Sequence, residues 1–146
     1  MTSHRITAAL CRYLDTATRP PFDWAGNNCC HFVAGWWQAM TGDDALAGFA
    51  MPAGPIEARR LLRAQDSSLA GLVTQRTHRL PIFAEFAQVG DIVALSSEVL
   101  PGADNGCGVA LGICCGRTAA MLAADGATVH APMSSALCAW PLGVPA

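Results

Sequence analysis

Lysine is absent from the chain. All nine basic residues are arginine, set against eleven acidic ones, for a formal charge of −2 over 146 residues. That balance offers no electrostatic ground for binding nucleic acid. An all-arginine basic complement beside abundant Ala and Gly points to GC-rich coding rather than to a function. No stretch approaches the ~18 consecutive apolar residues that a membrane helix needs. The N-terminal MTSHRITAALCRYLDTATRPP lacks the apolar core and small-residue cleavage site of a secretory signal, which predicts synthesis in the cytoplasm and export only within an assembly. No C-x-x-C spacing occurs. The seven cysteines (11, 29, 30, 107, 114, 115 and 138) are odd in number, which argues against a disulfide framework. Adjacent pairs also point in different directions on a helix or strand. They read as small core residues, with no metal and no cofactor expected.

What is present is apolar: 52% of residues are hydrophobic and 14% charged. The length suits one domain spanning 1–146, large enough to bury a real core. Ile6, Ala9, Leu10, Tyr13 and Leu14 recur at helical spacing behind Ser3 as N-cap and before Pro20-Pro21. A second helix is predicted from about Asn28 to Met40, with Asn27 or Asn28 as N-cap and Gly42 as the positive-φ stop. Cys29, Phe32, Val33, Trp36, Trp37 and Met40 cover so much of its circumference that it belongs at the centre of the fold. Pro55 fits the start of a third helix with Ile56, Leu61 and Leu62 inward and Arg59, Arg60 and Arg63 on a solvated face. Ser68 can cap a short fourth through Leu69, Leu72 and Val73, and Thr74 to Ala87 reads as irregular or partly extended.

Beyond Gly90 the pattern shortens. Asp91–Leu95, Val109–Cys115, Ala119–Ala123, Thr128–Ala131 and Ala136–Trp140 read as strands, separated by a polar loop from Ser96 to Gly106 and by turns. Helices first and a mostly antiparallel meander afterwards make an α+β domain.

The stretch from Pro21 to Asp44, PFDWAGNNCCHFVAGWWQAMTGDD, carries the residues able to do chemistry. A cysteine in the first turn of a helix is a candidate nucleophile, because free amides and the helix dipole favour the thiolate. It needs a histidine to move protons. His31 follows Cys29 by two residues and so points about 200° away on a helix. His4 and His78 fall in surface segments, which leaves His130. Trp24, Trp36 and Trp37 could anchor a partner if exposed, and otherwise pack in the core. Asp43-Asp44 read as turn residues.

Asn28-Cys29-Cys30-His31-Phe32-Val33, Gly90-Asp91-Ile92-Val93 and Leu111-Gly112-Ile113 together resemble the NlpC-like branch of the papain-like cysteine peptidases, in order and across most of the chain. Phe22-Asp23-Trp24, Thr41-Gly42-Asp43-Asp44 and Ala139-Trp140 resemble more closely a phage-tail subset of that superfamily. The resemblance implies N-terminal helices, with the Cys-bearing one central, packed on a mostly antiparallel sheet of short strands. It puts Cys29 at the nucleophile position, Ala110 where the general-base His stands, Asn28 where an Asp precedes the nucleophile, and His130 near the orienting residue. Loss of the acid–base partner costs typically 10²–10⁴ in rate. The implied role is therefore a structural component of a phage or gene-transfer-agent type tail tip with little or no peptidase activity, contacting tail hub or other tail-tip proteins. The alternatives are an active peptidoglycan endopeptidase using Cys29 and His130, and a small cysteine-rich binding module.

Overall fold

The computed structural model describes residues 3–15, 28–49, 54, 56–57, 60, 69–96, 109–123 and 126–143. Three helices, α1 (Ser3–Leu14), α2 (Cys29–Thr41) and α3 (Leu69–Thr77), precede five strands: β1 (Ile92–Ser96), β2 (Val109–Cys114), β3 (Thr118–Leu122), β4 (Thr128–Pro132) and β5 (Ala136–Trp140). The strands form one sheet in the order β4-β3-β2-β1-β5 with every pairing antiparallel. The α+β class and the order of elements follow the sequence pattern. Phe22, Asp23, Trp24, Ser68, Cys107 and most of the helix expected after Pro55 lie outside the described residues. Ile56, expected to point inward, is 62% exposed. The segment expected to be irregular from Thr74 onward instead continues α3 to Thr77, where the Thr77 hydroxyl donates to Val73 O at 2.7 Å.

Alternation along the strands divides the core in two. Ile92, Ala94, Leu111, Ile113, Ala120, Leu122 and Trp140 face the helices and pack with Ile6, Leu10, Phe32, Val33, Trp36, Trp37, Leu72 and Val73. Val93, Leu95, Ala110, Cys114, Ala119, Met121, Ala131 and Ala139 face the other way, into a second cluster that Ile82, Ala87, Val129 and Met133 help to cover. A period of two assigns neighbouring residues to opposite sides, so this alternation decides which β2 side chains meet α2.

α2 is the hub. It lies against β2 and β3, and Trp36 and Trp37 are 0% and 2% exposed. The Trp36 indole donates to Gly90 O at 2.7 Å. Tyr13 of α1 donates its hydroxyl to Phe32 O at 2.6 Å, an approach open because residue 35 is glycine: a Cβ there would sit 2.5 Å from the Tyr13 hydroxyl oxygen. Trp140, at the end of β5, donates to Thr74 Oγ1 of α3 at 2.9 Å. The tryptophans thus tie both helices to the strand ends as hydrogen-bond donors as well as by area.

Candidate functional site

The first turn of α2 is held by a reciprocal capping box. Asn28 Oδ1 accepts from the backbone amides of Cys30 (2.8 Å) and His31 (3.1 Å), and the Asn28 amide donates to His31 Nδ1 at 3.2 Å. Asn28 is 4% exposed, so this is an interior cap and not a solvated one. Two first-turn amides that could stabilise an anion beside Cys29 are thereby committed to Asn28. His31 acts as a capping acceptor through Nδ1, a use that the sequence pattern did not suggest. The signal was there: a side chain able to accept stands three residues after an Asn N-cap.

Cys29 opens the helix, half-buried, with its side chain against the helix-side core. Cys30 borders an apolar cavity of about 40 Å³ between α2, α3 and the sheet, with Val33, Trp37, Leu72, Ile92 and Leu111 among its walls. That volume is far below that of a ligand pocket. A larger open groove, about 540 Å³, runs along the outer side of α2 past His31, Gly35, Gln38, Asp44 and Phe49, and Cys29 is not part of its lining.

The strand opposite does not supply a base. Leu111 and Ile113 are the β2 side chains that face α2, with Val109 packed against the same cluster. Ala110, 5% exposed, belongs to the cluster on the reverse side of the sheet with Leu95, Cys114 and Met121. His130 sits on edge strand β4 directly opposite Ala120, and Ala120 faces the helices. Directly paired residues share a face, so His130 lies on the helix side of the sheet. It is exposed, and its Nδ1 is 3.1 Å from Thr118 Oγ1, which orients the ring along β3. His4 and His78 are exposed.

The Gly90-Asp91 motif is architectural. Gly90 has φ +95°, and a Cβ there would lie 2.7 Å from Ile6 Cγ2 and 3.0 Å from Leu142 Cδ1. Asp91, 5% exposed, accepts from Gln88 N through Oδ2 (2.9 Å) and from Leu142 N through Oδ1 (3.2 Å). Burial pushes its carboxyl above the usual range, partly offset by those two amides. The same Leu142 peptide gives its carbonyl to Arg79 Nη2 at 3.4 Å, and the Arg79 guanidinium lies 5.7 Å from the centre of the Trp37 ring.

Three further thiols, Cys114, Cys115 and Cys138, are poor nucleophiles. Burial raises Cys114, Cys115 and Cys138 above the ordinary thiol value, and Asp91 adds to the effect at Cys114. Among the described residues no three His, Cys, Asp or Glu side chains converge as metal ligands, and no helix is long and apolar enough to cross a membrane. Asp43 and Asp44 are exposed turn residues, Asp44 Oδ1 accepting from Leu46 N at 3.1 Å.

A protein-family model described as a domain of unknown function, DUF6950, matches residues 2–142. The chain belongs to the DUF6950 family. The match takes in α1 to α3 and β1 to β5, so capping box, Gly90-Asp91 turn and Trp140 all lie within the DUF6950 domain. No curated protein matches the chain.

Proposed function

We propose that this DUF6950 domain is a non-catalytic member of the NlpC-like superfamily, serving as a structural component of a phage or gene-transfer-agent type tail tip. One observation supports the loss of catalysis: the β2 side chains on the helix side, Val109, Leu111 and Ile113, are all aliphatic, while Ala110 at the base position is buried on the far side of the sheet. An alanine at that position can neither take a proton from a thiol nor protonate a leaving amine. The tail assignment is supported by the resemblance of the Thr41-Gly42-Asp43-Asp44 and Ala139-Trp140 motifs to tail-associated relatives. In this reading Cys29 is a core-facing helix-start residue and the partners are tail hub or neighbouring tip proteins. Mass spectrometry of purified particles should find the chain at stoichiometric copy number. Its consistent absence from particles would remove the structural role.

The placement of His130 favours one competing reading, a cysteine hydrolase acting on cell-wall peptides. His130 shares the helix side of the sheet, and Thr118 orients its ring as a third group would. Under that reading an electrophilic thiol probe labels Cys29 faster than exposed Cys11 near neutral pH, and peptidoglycan fragments are cleaved in a His130-dependent way. Under the non-catalytic reading Cys29 has no such advantage and no fragment is cleaved.

A further inference from the structure

Four large apolar side chains near the β5 edge are left in solvent: Leu80 at 79% exposure, Phe83 at 73%, Phe86 at 68% and Leu137 at 57%. Phe83, Phe86 and Leu137 alone present roughly 400 Å² of apolar surface, within the range of the largest patch on a typical monomer. Phe83, Phe86 and Leu137, with Pro81, Ile82 and Cys138, enclose an open cleft of about 500 Å³. The two phenyl rings stand beside each other, 6.4 Å between centroids.

The patch is rigidly presented. Ile82 and Ala139 exchange both backbone hydrogen bonds, at 2.7 and 3.0 Å, which pins the segment before Phe83 to β5. The chain then turns through a 3-10 segment, Ala84–Phe86, closed by hydrogen bonds from Phe86 to Phe83 and from Ala87 to Ala84. A backbone pinned in this way needs little further ordering on docking. The edge itself is ill-suited to accepting an added strand. The Ile82 pair already covers Ala139, and the β1–β5 register shifts between Ala94 and Leu95, so that Leu137 is the extra residue of a bulge. Bulges and short edges are devices that block edge-to-edge pairing. What docks here is recognised by side chains.

We infer that this patch is the interface of a two-fold homodimer in which Phe83 or Phe86 of each copy enters the cleft of the other. Two features select a second copy as occupant. The surface carries projecting rings and a cleft able to take one, which is the self-complementarity that an isologous contact requires. The apolar area per copy is also about half of the ~800 Å² that each partner contributes to a standard interface, and the polar rim supplies the rest. The inference is independent of whether Cys29 is catalytic.

Sedimentation velocity of the full chain across a wide concentration range tests it. The wild type should show a concentration-dependent monomer–dimer equilibrium. Phe83→Ser and Phe86→Ser together should weaken it by about a hundredfold or more, as expected for two aromatic anchors. Both side chains are exposed, so the variant's circular dichroism and melting temperature should be preserved. Alkylation of Cys138, in the cleft wall, should slow as wild-type concentration rises and stop depending on concentration in the variant. A wild type that stays monomeric throughout, or a dimer that the double variant leaves intact, overturns the assignment.

Discussion

Trp36 and Gly90 meet across the centre of the protein, 54 residues apart in sequence, where the indole N–H donates to the glycine carbonyl at 2.7 Å. The contact joins the hub helix to the turn that launches β1, at a position that must be glycine for separate reasons. A positive φ, the Ile6 methyl and the Leu142 side chain leave no room for a Cβ. Gly90→Ala should therefore destabilise by about 2 kcal/mol or more through strain and clash. Trp36→Phe should cost about 1–3 kcal/mol by leaving a buried carbonyl unpaired. Urea denaturation midpoints check both, and a G90A protein as stable as the wild type contradicts the account.

Gly35 reverses a familiar rule. Replacing an interior helical glycine by alanine usually stabilises by about 1 kcal/mol, but here the new methyl would collide with the Tyr13 hydroxyl. Gly35→Ala is expected to destabilise, and pairing it with Tyr13→Phe should recover part of the loss. Additive effects in that double-mutant cycle would argue against the contact.

The capping box should be worth measuring directly. Asn28→Ala removes the acceptor for Cys30 N and His31 N and should cost about 1–2 kcal/mol. Asn28→Asp keeps an acceptor at a helix N-terminus and should be tolerated. Equal losses in the two variants would show that the cap is not what Asn28 contributes.

Asp91 gives the stability a pH signature. Burial holds its folded-state carboxyl above the ordinary value of 3.8, so between that value and the folded one the native state binds the proton more tightly than the unfolded chain does. Stability linked to this group therefore falls as pH rises through that window and is flat above it. Asp91→Asn should abolish this component of the slope. Asp91→Ala should also lose about 2–5 kcal/mol, because the amides of Gln88 and Leu142 both lose their acceptor. Denaturant titrations at acidic and neutral pH separate the two effects; an identical slope in wild type and D91N sinks the assignment.

Placing a histidine at residue 110 should not create a working base. Ala110 is packed with Leu95, Cys114 and Met121 on the reverse face, so Ala110→His buries an imidazole in an apolar cluster and should destabilise by several kcal/mol. Thermal melting reads the loss. A stable A110H protein with faster alkylation at Cys29 would mean that the strand can turn this residue toward α2.

Much of the fold is legible in the order of residues because it is dictated locally. The period of α1, the Asn28 cap, the Gly42 stop at φ +81° and the alternating strands each follow from backbone chemistry within a few neighbours. The same holds for the two ends of α2, which place Cys29 at a helix start. The placement of the residues that bear on catalysis is only half legible. That Ala110 lacks a base is written in the sequence; that it points away from α2 while His130 lies on the helix side depends on strand pairing and sheet parity. The structural duty of His31, the burial of Asp91 between Gln88 and Leu142, and the exposure of Phe83 and Phe86 likewise arise from segments brought together only by folding. Short-range periodicity determines which elements form, whereas register and burial, which no local pattern encodes, decide what each side chain faces.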